Sequence, residues 1–321
     1  MDLEFVTNGL TEKYLLRRRP GSEKLIDEGF KKLAFAMASM VAVVLCGIFL
    51  FIFLGSLESI QQFGLKFLAT SEWDPISEQY GAFTAIYGTL VTSLASICIA
   101  VPLGVGTAIV ISESILPKRL GIIIGILVEL LAAIPSVVLG LWAIFVMEPF
   151  LRPFLLILNK YFGWIPFFSS EPIGPGIAPA ILILVIMILP IITSISRDSL
   201  NQVPQSLREA AYGIGATRWT SIINILLPAA VSGITGGVLL ALGRAMGETM
   251  AVTMIIGNTL NFNWSLLAPG NTISAMLANQ FGEADGIQVS SLLYAALILM
   301  LLTLSVNIFA QWLVKRLSLK Y

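Results

Sequence analysis

The sequence predicts an all-α polytopic membrane protein with six transmembrane helices, and three observations carry that prediction. Of 321 residues, 57% are hydrophobic and 12% charged, with a mean hydropathy of +0.90, too apolar for a soluble domain of ordinary composition. Six long apolar runs alternate with polar segments. Lysine and arginine are distributed unevenly between those segments. Seven precede Leu33, two stand at Lys118 and Arg119, three at Arg197, Arg208 and Arg218, and three follow Val314, whereas the intervening loops hold only Lys66, Arg152 and Lys160. By the positive-inside rule the rich side is cytoplasmic.

Residues 1–32 read as a cytoplasmic N-terminal arm, with Arg-Arg-Arg-Pro at 17–20 and Lys31-Lys32 against the first apolar run. That run, Leu33–Gly55, carries no charge and follows a long polar arm, so it is a retained span rather than a signal peptide. Further spans are expected at about Phe83–Ile111, Gly121–Met147, Pro179–Ser196, Ala229–Gly257 and Ser290–Val314. An even number places both termini on the cytoplasmic side, with 33–314 as the six-span domain and 315–321 as a cytoplasmic tail. Of the outside loops, Gln61–Tyr80 is acidic and contains Glu-Trp-Asp-Pro, and Asn258–Val289 has no lysine or arginine. Glu148–Ala178 is rich in proline and aromatics; Arg152, Pro153 and Lys160 interrupt its apolar core, which fits an interfacial or re-entrant helix better than a seventh span. These loops are either a receiving surface for an external binding protein or plain solvated connections.

The chain has no histidine, which excludes imidazole-based triads, His-Glu-x-x-His zinc sites and histidine proton relays. Cys46 and Cys98 lie inside apolar runs and make neither a metal-ligand spacing nor a disulfide framework. No nucleophile–base constellation is visible, so no catalytic residue, metal ligand or nucleic-acid partner is expected.

The segment 198–228 is a polar interruption between two apolar runs. Pro204 suits the first turn of a short helix, Gly213 or Gly215 can close that helix in a left-handed conformation, and Thr217 can cap a second helix that Pro228 bends into the next span. Glu209, Ala210 and Ala211 then fall mid-helix, on a face shallow enough for another protein's groove. Glu-Ala-Ala, three residues, Gly215, nine residues, Ile225, one residue and Leu227-Pro228 resembles the EAA loop by which ABC-importer permeases engage a separate ATPase. The resemblance implies ATPase coupling through Glu209, Ala210, Ala211 and Gly215.

Three ionisable residues stand inside expected spans: Glu129, Arg244 and Glu248. Each is costly in hydrocarbon and should face protein or a water-filled path. Arg244 and Glu248 are four apart, on one helical face, in the cation-first order that is less favourable for helix stability. A guanidinium suits bidentate contact with a tetrahedral oxyanion. A carboxylate beside it would favour phosphate, which retains a proton near neutrality, over sulfate, which has none to donate; otherwise Glu248 is simply the counter-ion. Gly233, Gly236, Gly237, Gly243 and Gly247 crowd the same helix, for close packing or for room beside the arginine. Glu129 reads as an acceptor along the path, a structural hydrogen-bonding group or an interface residue near a span end.

Glu-Trp-Asp-Pro at 72–75, Tyr-Gly-Thr-Leu-Val-Thr-Ser at 87–93, Val-Pro-Leu-Gly-Val-Gly at 101–106, the run from Glu129 to Trp142 and Gly-Arg-Ala-Met-Gly-Glu-Thr-Met-Ala-Val at 243–252 together resemble the PstC-type membrane subunit of the phosphate-specific ABC importer. The resemblance implies a type I ABC-importer permease fold, location in a bacterial or archaeal cytoplasmic membrane, and inorganic phosphate as cargo. It also implies a PstA-like sibling permease, two nucleotide-binding ATPase subunits and an extracytoplasmic phosphate-binding protein as partners. The chain has no Gly-x-x-x-x-Gly-Lys-Ser/Thr loop, so ATP and magnesium belong to the partner subunits and no cofactor is expected here. Sulfate or phosphonate is the alternative cargo. An ion-coupled carrier using Glu129 and Glu248 leaves the EAA spacing without an account.

Overall fold

Proline and small residues set where the apolar runs bend and how near they approach one another. The computed structural model describes residues 21–113 and 115–317; the arginine run at 17–20 and the last residues of the tail lie outside the described residues. Among the described residues, six helical stretches are long and apolar enough to cross a membrane. In order, the elements are α1 (Gly21–Phe63), a two-residue hairpin of β1 (Trp73–Asp74) and β2 (Gln79–Tyr80), α2 (Phe83–Ser112), α3 (Lys118–Ala133), α4 (Ser136–Trp142) and α5 (Glu148–Phe162). They continue with α6 (Ile177–Asn201), α7 (Gln205–Gly213), α8 (Arg218–Ser221), α9 (Leu227–Gly247), α10 (Met250–Ile255), α11 (Ile273–Gln280) and α12 (Gly286–Leu317).

The chain divides into two units, up to Leu54 and from Gly55 onward. The described part of the first is helical, and its apolar side chains are exposed around the helix, Phe35, Val43 and Phe51 among them, as on a surface solvated by lipid. Helix α1 starts well before Leu33, because the polar stretch ahead of the apolar run is itself helix-forming: Asp27 and Lys31, and Glu28 and Lys32, are spaced i,i+4 with the acid first.

The second unit is built around α6. Ile177, Ile183, Leu184, Ile188 and Ile192 are at most 2% exposed, and two-thirds of its apolar window is buried, the mark of a helix enclosed on all sides. Between helices in lipid there is little hydrophobic driving force, so close backbone approach matters more. A Cβ on Gly104 of α2 would lie 2.8 Å from Ile192 Cγ2, and one on Gly237 of α9 would lie 3.0 Å from Ile195. At the C-terminal end of α1, Gly55 lies against Leu293, and Ser59 meets α12 directly: its N–H donates to Ser290 Oγ at 3.0 Å and its hydroxyl lies 3.2 Å from Ser291 Oγ.

Two expected spans have different bounds in the structure. The run from Gly121 to Met147 is not one helix: Ile134 and Pro135 are extended (ψ 126° and 139°) and part α3 from α4, because the residue before a proline is pushed out of the helical region. From Ser136 the chain is instead continuously helical to Phe162, so the segment read as a separate interfacial or re-entrant helix extends α4. The run Ala229–Gly257 is interrupted at Glu248, whose ψ of 123° ends α9 before α10 begins. Two π-helical turns, Ala143–Met147 and Ile222–Leu226, share one cause. Each contains the carbonyl four residues before a proline, Pro149 or Pro228, where a regular helix would clash with the pyrrolidine ring.

Gly104→Leu should lower the stability of the purified protein by about 1–3 kcal/mol through overpacking against Ile192, whereas Gly106→Leu, where a Cβ meets nothing within 4 Å, should change it little; thermal unfolding in detergent compares the two.

Candidate functional site

The helix–turn–helix expected from the sequence is present. Pro204 takes the N-cap position (ψ 137°) rather than the first helical turn, and α7 follows from Gln205. At its far end Gly215 adopts φ +84°, Gly215 N–H donates to Tyr212 O and Ala216 N–H to Ala211 O, both at 3.0 Å. This is the Schellman pattern, which requires a left-handed residue where a Cβ is unfavourable. Thr217 then accepts the Thr220 N–H at 3.3 Å and caps α8. The two alanines part company: Ala210 shares the exposed face with Glu209, while Ala211 is 2% exposed and turned inward. Leu207, Tyr212, Ile214 and Trp219 add apolar surface to the element.

Arg244 stands in the last turn of α9 and Glu248 at its C-cap. Their nearest atoms, Arg244 Nη2 and Glu248 Oε2, are 3.6 Å apart. The guanidinium side chain is 46% exposed and the carboxylate side chain 8%, so the arginine is the accessible member of the pair. Glu248 Oε1 also faces the Ala251 N–H at 3.5 Å, placing the carboxylate at the start of α10, where the helix dipole favours negative charge. Arg244 lines a recess of about 220 Å³ with Leu131, Ala132, Ile134, Leu139, Met187 and Ile191, opened by the break between α3 and α4. The glycines of α9 divide accordingly. Gly233 and Gly237 pack on Ser199 and Ile195 of α6, while Gly243 and Gly247, beside Arg244, face open space.

Glu129 does not join this pair. Its Oε1 accepts from Arg197 Nη1 at 3.1 Å, and the two border a second recess of about 390 Å³ between α2, α3 and α6. Arg197 counts with the cytoplasmic loop in the sequence, but α6 runs on to Asn201 and carries it beside Glu129. Nothing in the spacing of two residues so far apart in the chain signals that partnership.

The loop after α10, marked in the sequence only by its lack of lysine and arginine, is bound at many points. Ile177 N–H donates to Ala268 O and Ala178 N–H to Leu266 O, which ties the loop to the start of α6, while Gly176 N–H donates to Ile255 O at the end of α10. Leu267, Ala268, Asn271, Thr272 and Ile273 are buried. The Tyr-Gly-Thr of 87–89 supplies the seat. Tyr87 donates to Trp264 O at 2.9 Å, Thr89 Oγ1 accepts the Ile273 N–H at 3.0 Å, and a Cβ at Gly88 would fall on the Asn271 carbonyl.

These features define the class of an ABC-importer permease with a type I fold. A solved bacterial alginate ABC transporter contains a chain of the same fold, with a TM-score of 0.61 at 18% identity, covering 91% of this chain and 97% of that one; a MetNI methionine ABC transporter gives 0.53 at 17%, covering 72% and 94%. Residues 100–319 match the family described as binding-protein-dependent transport system inner membrane component. The phosphate transport system permease protein PstC of Mesorhizobium japonicum is 44% identical, covering 92% of this chain and 91% of its own. That of Haemophilus influenzae is 40% identical, covering 94% and 97%. The chain belongs to the PstC-type permeases of that family, and it is a multi-pass inner-membrane protein.

Gly88→Ala should displace the Asn271–Ile273 backbone and speed amide exchange across 265–276 by about tenfold or more, the consequence of an overpacking cost on the order of 1–3 kcal/mol; unchanged exchange would show that the seat tolerates a methyl group.

Proposed function

We propose that this chain is one membrane subunit of an ATP-driven ABC importer that carries inorganic phosphate across the cytoplasmic membrane by alternating access. The observation that supports it most directly is the half-exposed Arg244 guanidinium beside an open recess and two uncrowded glycines, on a chain matched almost end to end by phosphate transport system permeases. Arg244 offers a planar fork of donors to a tetrahedral oxyanion. Glu248 offsets the arginine's charge while no ion is present, and it accepts a hydrogen bond from the P–OH group that phosphate retains near neutrality. Glu129, neutralised by Arg197, flanks the path at another recess.

In this reading both termini and the helix–turn–helix are cytoplasmic, in keeping with the placement of the basic residues. Glu209, Ala210, Ala211 and Gly215 belong to the element that engages two nucleotide-binding subunits, which use the ATP and magnesium. A PstA-like sibling completes the membrane part, and an extracytoplasmic phosphate-binding protein delivers the ion. Each partner acts by favouring one of the inward- and outward-facing states.

The test is uptake of labelled phosphate into proteoliposomes holding this chain and those partners. Uptake should need ATP and ignore excess sulfate, and Arg244→Gln should reduce it at least about tenfold, as expected for losing charge-assisted hydrogen bonds of about 1.5–3 kcal/mol. Competition by sulfate would overturn phosphate as the cargo; uptake without ATP would overturn the importer. Separately, Glu248→Gln should narrow the preference for phosphate over sulfate by about tenfold or more, since a site built around a substrate proton loses its discrimination when the acceptor is removed; an unchanged preference would leave Glu248 as counter-ion alone.

A further inference from the structure

The carboxylate that ends α2 belongs to neither recess and plays no part in the reading above. Glu113 is the C-cap residue of α2, its N–H bonded to Ile109 O, and it is 8% exposed. Its Oε1 lies 2.5 Å from Arg208 Nη1 on α7, and the side chains are 6% exposed for Glu113 and 15% for Arg208. The second nitrogen of the same guanidinium donates to Leu200 O, near the end of α6, at 2.7 Å. From α8, Arg218 Nη2 donates to the backbone carbonyl of Glu113. Both arms of the helix–turn–helix therefore close on one residue of α2, and one arginine joins α2 to α6. Beneath them Ala108, Leu200, Val203, Ile222, Leu226 and Ala230 form a small apolar core.

Helix stability does not explain an acid at this position. A negative charge at a helix C-terminus opposes the helix dipole, and a buried ion pair is often no more stabilising than apolar residues of the same volume. What the pair does provide is a fixed register between elements, since breaking it leaves a buried charge without compensation.

We propose that Glu113 is a positioning residue for transport: the clasp of Glu113 with Arg208 and Arg218 is the link by which movement of the helix–turn–helix is passed to α2 and α6, and so to the helices around Arg244. The proposal rests on the importer reading. Ridges of α7 packed on a soft surface would slide; a guanidinium held at once by the Glu113 carboxylate and the Leu200 carbonyl moves both span ends together.

The experiment measures phosphate imported and ATP hydrolysed in the same proteoliposomes of the full complex, giving phosphate moved per ATP. Wild type must first show ATP-dependent phosphate uptake; if it does not, the importer reading fails and not the clasp. In Glu113→Gln the ATPase subunits should still co-purify and hydrolyse ATP, while phosphate per ATP falls about fivefold or more, the expectation when one partner of a buried pair is removed. Glu113→Arg alone should be at least as poor, and Glu113→Arg combined with Arg208→Glu should recover at least about half of the wild-type ratio, the coupling a double-mutant cycle isolates. A purely structural role would lower assembly and ATP hydrolysis together and leave the ratio unchanged, which would overturn the proposal. If Glu113→Gln does not assemble, the paired exchange decides: a ratio near wild type supports the clasp, and a pair no better than Glu113→Arg alone overturns it.

Discussion

The closeness of α2 and α9 to α6 is the constraint on which the second unit depends. Lipid tails are as apolar as leucine, so burying leucine between helices gains little, and association relies on dispersion contacts that need short interaxial distances. Gly104 and Gly237 supply that closeness by presenting backbone where Ile192 and Ile195 project. Because α6 is thereby gripped on several sides, its two ends serve as anchors. At its start Ile177 and Ala178 bind the loop that follows α10, and near its end the Leu200 carbonyl receives Arg208.

Glu113, Glu129 and Glu248 each stand beside an arginine, but the pairs differ in how much they leave open. Arg197 is only 27% exposed along its side chain and holds Glu129 by a direct hydrogen bond. Arg244 is more open and its carboxylate stands farther away, so an anion entering beside it would meet a guanidinium with unoccupied donors. The Glu113 pair is the most enclosed of the three. Exposure of the arginine rises from Arg208 (15%) through Arg197 (27%) to Arg244 (46%), whereas among the three acids it is Glu129, at 61%, that is most open.

Interruptions of helix, more than their lengths, place these groups. The extended residues Ile134 and Pro135 open the recess beside Arg244, and the extended Glu248 turns its carboxylate back toward both Arg244 and the start of α10. The π-helical turns before Pro149 and Pro228 accommodate the ring without ending the helix. Proline thus has different outcomes along one chain: Pro135 ends α3, Pro228 is absorbed by one extra residue in the turn, and Pro102, Pro153 and Pro190 stand inside continuous α-helix.

By itself the sequence determined the membrane class, the six apolar stretches, the family and the helix–turn–helix, because each depends on local or cumulative properties: hydropathy over a span, charge between spans, and cap residues within a few positions of one another. The Schellman turn at Gly215 and the cap at Thr217 are legible for that reason. The sequence also singled out Arg244 and Glu248, which are neighbours in the chain. Only the tertiary structure decided that Glu129 pairs with Arg197, that Glu113 meets Arg208 and Arg218, and that Tyr87, Gly88 and Thr89 seat a loop from the far end of the chain. It likewise decided which α9 glycines pack and which stay open. These contacts join residues from roughly 30 to 180 positions apart, where neither helical period nor cap spacing carries information, and are settled by the packing of helices against α6.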